Sequence, residues 1–375
     1  MTYRQAVIPA TVGAIVLVAL LWWAGSCTQA LELQGASTVI GGRPVAELQR
    51  WLGPWSYDPP GLGQSTGAGT SVDGARYLRL YHTGVQIRFG ALFAFFLAGA
   101  LLVIRRLPPA HGRTPVSLVA VWAWGPVAGT LAVTVSAPWF IAAQGHGSYR
   151  FLPQLASVIS TGRQIVVVGA LVAAAVTVLT ARITAKGAGP RPYGSGPAPA
   201  ARLAATAGTA VVAFSVLVLS YVPVAARIQS ISPRIGLLSE PGDLLRQWLL
   251  LSAWAAPGGS PLGDWLLNRA GDVLLLGVVW WSLRKLPALL TRVTVPAMAL
   301  CSVCATSVGL LVGQVLHAVT AGGDLAYLVA GIGEGIPAAV TCGGAAGVVA
   351  AVTLRVAAGR VRAPVEAPAD SRPAG

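Results

Sequence analysis

The chain has 375 residues, of which 55% are hydrophobic and only 10% are charged. Soluble domains carry about 25% charged residues, so this composition excludes an ordinary soluble globular protein. The apolar residues instead fall into runs of about 20, the length that an α-helix needs to cross a bilayer. The chain is therefore predicted to be an all-α integral membrane protein, a polytopic bundle of helices. Its predicted surroundings are the lipid bilayer.

About eight transmembrane helices are predicted, four in each half of the chain. The spans of the first half are 6–24, 85–104, 116–142 and 164–183. Those of the second half are 203–226, 265–283, 293–318 and 337–354. The first membrane repeat occupies residues 1–183 and includes a large outside loop at 26–84, and the second repeat occupies residues 203–358. Residues 184–202 are predicted to be a flexible cytoplasmic linker, and residues 359–375 a disordered cytoplasmic tail.

A nine-residue motif occurs once in each half, between two spans. Residues 105–113 read RRLPPAHGR, and residues 284–292 read RKLPALLTR. Duplication of a four-span unit explains this repetition. Because four is an even number, both halves point the same way, which predicts two parallel repeats related by a pseudo-twofold axis along the membrane normal.

The basic residues are distributed unevenly between the two predicted sides of the membrane. The inside segments hold 15 of the 26 Lys and Arg and 2 of the 12 Asp and Glu, so +13 of the net charge of +14 lies on that side. This is the positive-inside pattern, and it predicts cytoplasmic N- and C-termini and no nucleic-acid partner. Arg outnumbers Lys 24 to 2, which indicates a bacterial genome and hence a multi-pass protein of the bacterial plasma membrane.

The outside segment of each half contains a similar short amphipathic pattern. Residues 48–52 read LQRWL, and residues 245–249 read LRQWL. Apolar residues at helical spacing predict a short helix lying at the membrane interface in each half.

Two spans carry glycines four residues apart. Gly125 and Gly129 lie in the third span, where Pro126 predicts a kink, and Gly309 and Gly313 lie in the seventh. Small residues at this spacing let helices approach closely in lipid. These Gly-rich helix faces predict contact with a membrane-protein partner or a second copy of the chain.

Charges inside spans are costly and therefore suggest function. Arg269 and Asp272 fall in the outer half of the sixth span, three residues apart, so they are predicted to pair on one helical face. The alternative is a shorter helix that leaves both side chains at the lipid headgroups.

A glycine and a charge precede the fourth and the eighth spans. Residues 162–165 read GRQI and residues 333–336 read GEGI, each after a short apolar piece, at 152–160 and 325–332. This order is typical of discontinuous helices. Arg163 and Glu334 are therefore predicted either to pair with each other or to line an outward-facing polar cavity together with Arg269 and Asp272. The alternative is two ordinary loop charges at the outer surface.

Further polar residues follow at the outer end of the seventh span. Gln314 and His317 are predicted to line the same cavity, although a lone histidine at an interface is more often simply solvated. The predicted binding set is therefore Arg163, Arg269, Asp272, Glu334, Gln314 and His317.

Chemical motifs give little support to catalysis. Cys301, Cys304 and Cys342 suit a soft metal, but cysteines in membrane helices usually pack as small side chains, so neither a metal nor a cofactor is predicted. A GxSxG match at residues 63–67 lies in a glycine-rich loop without the strand and helix of a nucleophile elbow. Walker A is missing from the sequence, so the chain is not itself an ATPase.

Two functions follow from these patterns, and an enzyme acting on lipid is a less favoured third. The first is a transporter-like or permease-like protein, which predicts that the four charges converge on a cavity open to one side. The second is a non-catalytic membrane scaffold or a subunit of a membrane complex, which predicts that those charges lie apart.

Overall fold

The computed structural model describes residues 3–31, 41–57, 72–108, 113–143, 151–185, 198–231, 239–252, 254, 262–291, 293–320 and 333–362. Within these ranges the structure is helical, and the only β-type pairing there is an isolated bridge between Tyr221 and Trp254. The predicted all-α fold is confirmed.

Six helices form the described part of the first half. They are α1 (Tyr3–Leu31), α2 (Gly42–Leu52), α3 (Val72–Arg106), α4 (Thr114–Ala143), α5 (Phe151–Ser160) and α6 (Arg163–Thr184). The second half also has six. They are α7 (Ala198–Phe214 with a π-helical end, Ser215–Leu219), α8 (Val222–Gln229), α9 (Gly242–Leu249), α10 (Leu262–Leu289), α11 (Val295–Thr320) and α12 (Ile336–Ala338, a π-helical stretch Ala339–Gly343, and Gly344–Arg362).

Eight of the helices within the described ranges are long and apolar enough to cross a membrane: α1, α3, α4, α6, α7, α10, α11 and α12. The remaining four are short. The helices α2 and α9 are the amphipathic segments predicted from the sequence, and α5 is the predicted apolar piece before the fourth span. Its counterpart at 325–332 lies outside the described residues.

Each half packs its four long helices in the same cyclic order. In the first half α1 contacts α3, α3 contacts α4, α4 contacts α6, and α6 returns to α1. In the second half α7, α10, α11 and α12 close an equivalent ring. Buried side chains such as Leu17 and Phe96 fill the first ring, and Val279 and Met298 fill the second. Close packing of this kind holds helices together in lipid.

The two halves meet along α4 and α11. Val127 of α4 and Val303 of α11 share a small buried cluster with Ile336, at the start of α12. The helices α4 and α11 are the third span of each predicted repeat, so this contact between corresponding helices agrees with a pseudo-twofold axis. The duplication itself stays a prediction.

The two nine-residue motifs touch each other at one end of the bundle, called here the hairpin end. Arg113 donates from Nη1 to the carbonyl of Leu289 at 2.9 Å and from Nη2 to that of Ala288 at 3.4 Å. The backbone N–H of Thr291 donates to the carbonyl of Arg106 at 3.1 Å. Arginine here satisfies carbonyls that the end of α10 leaves without helical partners. The motifs therefore join the halves as well as carrying positive charge.

Several predicted boundaries were wrong by up to about a dozen residues. The helix α1 continues to Leu31 and α3 begins at Val72, so both enter the loop predicted at 26–84. The predicted fifth span, 203–226, instead ends at Leu219, because Tyr221 leaves the helix to bridge Trp254. Secondary structure also enters both predicted flexible segments, since α7 begins at Ala198 and α12 reaches residue 362.

Three of the four paired glycines pack tightly against other helices of the chain. An added Cβ at Gly125 would lie 2.2 Å from Cβ of Ala170, and one at Gly129 would lie 2.8 Å from Cγ1 of Val166, both on α6. Gly309 packs against Leu275 of α10 in the same way. These glycines allow close approach, as predicted, but the neighbouring helix belongs to the same chain. Gly313 is half-buried, and the nearest atom to an added Cβ there is the carbonyl oxygen of Gly271 at 3.8 Å. Contact with a partner through the Gly-rich helix faces stays a prediction.

Candidate functional site

A cavity of about 490 Å³ lies at the end of the bundle opposite the hairpin end, called here the cavity end. Small-molecule sites commonly have volumes of about 300–1,000 Å³. Both halves contribute to its wall: α5 and the start of α6 from the first, and α9, the start of α12 and residues 250–252 from the second. Its polar lining residues are Ser157, Arg163, Asp243, Arg246, Gln247, Ser252 and Glu334.

Glycines in left-handed conformation break the helices beside this cavity. Gly162 precedes α6 with φ +70°, and Gly335 precedes α12 with φ +77°. Residues with a β-carbon rarely adopt such angles. The predicted glycine breaks are therefore present at the starts of both spans.

A short segment from the same half lies against each of these glycines. We call residues 53–57 the first connector and residues 250–252 the second connector. An added Cβ at Gly162 would lie 2.8 Å from Cβ of Pro54, and one at Gly335 would lie 3.0 Å from the carbonyl oxygen of Leu251. When LQRWL at 48–52 is aligned with LRQWL at 245–249, Pro54 corresponds to Leu251. The two halves thus place corresponding connector residues against the glycine, through a proline ring in the first half and a backbone carbonyl in the second.

Arg163 joins the two halves at the cavity wall. Its Nε donates to the carbonyl of Ser160 at 3.1 Å, and its Nη1 donates to the carbonyl of Gly333 at 3.1 Å. The predicted direct ion pair with Glu334 is not formed, because no nitrogen–oxygen contact within 4.0 Å joins these two described side chains. The guanidinium binds the neighbouring backbone carbonyl instead. Both side chains nevertheless line the cavity, which is the other arrangement the sequence predicts.

The predicted alignment of Arg163 with Glu334 is shifted by two residues. The glycine that begins α12 is Gly335, not Gly333, so the counterpart of Gly162 lies after Glu334 rather than before it. Arg163 therefore follows the glycine that begins its helix, whereas Glu334 precedes the corresponding glycine and itself follows a second left-handed one, Gly333, with φ +89°.

Gln314 of α11 fixes the turn before α12. Its Nε2 donates to the carbonyl of Glu334 at 3.1 Å, and its Oε1 accepts from the N–H of Gly333 at 3.2 Å. Gln314 therefore holds the turn at Glu334 in place through the main chain, and it is not itself in the cavity lining, where the sequence predicts it. His317, one turn further along α11, is not in the cavity lining, and its buried Nδ1 has no hydrogen-bond partner within the described ranges.

Arg269 and Asp272 form the predicted pair on α10, with Nη1 and Oδ2 2.6 Å apart. Asp272 is only 9% exposed, and its Oδ1 accepts from the hydroxyl of Ser252 at 3.3 Å. Arg269 also lies over the ring of Trp254, 5.1 Å from its centroid. Neither side chain is in the cavity lining, where the sequence predicts both, because Ser252 forms the wall in front of them. Asp272 is one hydrogen bond behind the wall, and Arg269 is further back.

A third buried charge, Arg88 of α3, was not among the predicted site residues. It is 3% exposed, donates from Nε to the hydroxyl of Ser136 at 3.0 Å, and donates from Nη1 to the carbonyl of Pro54. Its guanidinium also lies over Phe140, 4.1 Å from the ring centroid. A lone Arg near the start of an apolar run is a visible signal, but nothing in the sequence indicates that it binds the first connector.

The polar face of α9 was also missed as part of the cavity wall. Gln247 donates to the carbonyl of Ala156 on α5 at 2.8 Å, which holds α9 against the other half. Gln229 accepts from Arg246 at 2.9 Å and donates to Asp243 at 2.7 Å. The sequence showed the amphipathic pattern of this helix, but the direction of its polar face depends on tertiary packing.

These positions define a polytopic α-helical bundle with a polar cavity between its two halves at one end. Comparison of the chain with protein families, with curated proteins and with solved structures finds no match. The cavity is therefore the feature of the chain that bears on its function.

Proposed function

We propose that this protein is a transporter-like permease that binds a small polar solute in the cavity. The observation that carries the proposal is the convergence of Arg163 and Glu334 on a cavity whose wall comes from both halves. Transporters built from repeats place their sites between the repeats, beside discontinuous helices. The breaks at Gly162 and Gly335 supply that second feature.

A chain of contacts connects the cavity to a charge pair within a spanning helix. Ser252 lines the cavity and donates to Asp272, and Asp272 pairs with Arg269. Ionisable groups in spanning helices commonly form ion or proton pathways. In this proposal Ser252 passes changes at the cavity wall to the Arg269–Asp272 pair.

The direction of the cavity follows from the charge distribution. Both basic motifs lie at the hairpin end, and positive segments favour the cytoplasmic side. With the hairpin end inside, both chain termini are cytoplasmic and the cavity opens to the outside of a bacterial plasma membrane. The solute is then taken from the external medium or from the outer leaflet.

A reconstituted uptake assay tests the proposal. Purified protein is placed in liposomes, a mixture of polar metabolites is added outside, and the washed vesicle contents are measured by mass spectrometry. We expect wild-type vesicles to accumulate at least one solute above empty liposomes, and Arg163→Gln to lower the initial rate at least tenfold.

Arg182→Gln is the matched control, because Arg182 lies on the same helix as Arg163 but is exposed near the opposite end. It should leave uptake unchanged. If wild-type vesicles accumulate nothing above empty liposomes, or if both variants transport equally, the proposal is wrong.

A non-catalytic scaffold is the second candidate, and α10 favours it. In its most apolar window only 17% of the residues are buried inside the chain, against 72% for α11. Leu266, Val273 and Trp281 lie exposed along one side of α10. A scaffold would use this face for a partner and would give no solute uptake in the same assay.

A further inference from the structure

We propose that the cavity is selective for a zwitterion, a small molecule that carries both an ammonium group and an oxyanion. This inference rests on the proposed function and names the class of solute. The features that support it are two uncompensated charges of opposite sign on one cavity wall, together with a balanced set of charges around them.

Arg163 retains hydrogen-bonding capacity toward the cavity. Its Nε and Nη1 are engaged by the carbonyls of Ser160 and Gly333, whereas its Nη2 has no protein acceptor within the described ranges. The two engaged nitrogens fix the plane of the guanidinium. A fixed guanidinium with a free nitrogen is suited to bind a carboxylate or a phosphate.

Glu334 supplies the opposite charge. Its backbone is fixed by Gln314, while its side chain is exposed at the cavity and accepts no hydrogen bond from a described residue. The carboxylate is therefore held in place through the main chain and left free at its charged end. An ammonium group is the complementary ligand.

The spacing of these two charges favours a bridging ligand. Arg163 and Glu334 are too far apart for a direct pair, since their charged atoms are more than 4.0 Å from each other, yet the carboxylate still acts electrostatically on the guanidinium. A molecule with an anionic and a cationic end satisfies both groups at once. A simple anion or amine satisfies one and leaves the other uncompensated.

The remaining charges on the wall are balanced. Asp243 and Arg246 of α9 add one charge of each sign, and Gln229 holds both in place. With two cations and two anions, the lining has no net charge to attract a simple ion, but its separated charges orient a dipolar one. Apolar side chains such as Pro153, Leu250 and Pro337 complete the lining and can pack against a short aliphatic part of the ligand.

Two sources share this chemistry: free amino acids or short peptides, and phosphoethanolamine headgroups of lipids. Isothermal titration of the purified protein in detergent distinguishes them. The zwitterionic probes are the twenty amino acids, alanyl-alanine and glycerophosphoethanolamine. The single-charge probes are 4-methylpentanoate and isoamylamine, which each keep one charged group of leucine.

We expect at least one zwitterion to bind at least tenfold more tightly than either single-charge probe. Binding by amino acids or by alanyl-alanine identifies a free solute, and binding by glycerophosphoethanolamine alone identifies a headgroup. Tighter binding of a single-charge probe overturns the zwitterion inference while leaving the cavity as a binding site. No binding by any probe overturns the zwitterion inference, and uptake of a different polar solute in the liposome assay would leave the proposed function standing.

Charge-removal variants assign the two ends of the ligand. Glu334→Gln should weaken zwitterion binding at least tenfold and leave 4-methylpentanoate unaffected, because it removes only the ammonium partner. Arg163→Gln should weaken both. The Glu334 variant keeps the test valid if Arg163→Gln fails to fold, since the Glu334 side chain has no protein partner among the described residues.

Two exposed charges outside the cavity serve as controls. Arg182→Gln and Glu240→Gln each remove one charge of the same kind, and both should bind like wild type. Equal zwitterion affinity in wild type and Glu334→Gln overturns the inference.

Discussion

At the cavity end, the first and second connectors each lie against a left-handed glycine but carry different side chains. Each lies against the left-handed glycine of its own half, Gly162 or Gly335. In the register that aligns Trp51 with Trp248, Trp55 of the first connector corresponds to Ser252 of the second. Trp55 is 1% exposed and donates from Nε1 to the carbonyl of Gly162 at 2.9 Å, whereas Ser252 borders the cavity. A large side chain fills one half, and a small one leaves space in the other.

The charges behind the connectors differ in the same way. Arg88 of α3 donates to the carbonyl of Pro54 in the first connector, and Asp272 of α10 accepts from Ser252 in the second. The helices α3 and α10 are the second spans of the two predicted repeats. Each half therefore anchors its connector with a buried charge from the corresponding helix, but the charges have opposite signs.

This difference shows how two halves with similarly arranged helices form an asymmetric site. Here the helix rings, glycine breaks and connectors correspond, while the residues at Trp55 and Ser252 do not. We infer that the first half serves mainly as a rigid support and that the second half carries the open side of the site.

Trp55→Ala should produce the largest change in stability. Removing a buried Trp leaves a cavity and the Gly162 carbonyl without its donor, and such changes cost about 3–5 kcal/mol. We expect a loss of about 3 kcal/mol in the free energy of unfolding, measured by SDS titration in mixed micelles with circular dichroism. The change makes the first half resemble the second.

Trp281→Ala is the control for this variant. Trp281 lies on α10 and is 57% exposed, so its loss should cost less than about 1 kcal/mol. A Trp55 variant as stable as the Trp281 variant would show that Trp55 does not support the first half.

The sequence predicted the frame of this site well, for physical reasons. Runs of apolar residues indicate spans because length and hydropathy alone set them. The GRQI and GEGI segments stood out as breaks, although the aligned glycine of the second was off by two residues, and the i, i+3 spacing of Arg269 and Asp272 predicted their pair. These features depend on local sequence, so the sequence contains the information needed.

Contacts between distant segments were harder to predict. Arg163 binds a backbone carbonyl of the other half. Every residue type has a backbone carbonyl, so the sequence contains no pattern that predicts this contact. The role of Arg88 depends on a connector about 34 residues earlier in the chain. The spacing of Gly125 and Gly129 correctly predicted close helix packing, but it did not predict which helix packs there. Spacing alone does not distinguish a neighbouring helix of the same chain from a helix of a partner.

Alanine at the two left-handed glycines tests the shared part of the frame. Gly162→Ala and Gly335→Ala both force a β-carbon into a left-handed conformation, which costs roughly 1–3 kcal/mol. We expect Gly162→Ala to lose about 2 kcal/mol and Gly335→Ala somewhat less, because the new methyl meets Pro54 more closely than it meets Leu251. The same SDS titration measures both.

Gly277→Ala provides a control of opposite sign. Gly277 lies within α10, and an added Cβ there meets nothing within 4 Å, so alanine should stabilise the helix by up to about 1 kcal/mol. If the connector glycines tolerate alanine as well as Gly277 does, the two connectors do not depend on tight contact with the helix breaks.

Ser252→Ala should have the smallest effect on stability and still separates the two halves. It removes the single hydrogen bond to Asp272, which costs about 1 kcal/mol, while the Arg269–Asp272 pair stays in place. Ser230→Ala is the control, because the exposed Ser230 hydroxyl donates to a carbonyl of its own helix, that of Arg227, and its loss should cost less than about 0.5 kcal/mol. If Ser252→Ala is no less stable than this control, Ser252 does not anchor the second connector to Asp272. The counterpart charge, Arg88, would then be the only one of the two to hold its connector, and the correspondence between the halves would be limited to the backbone.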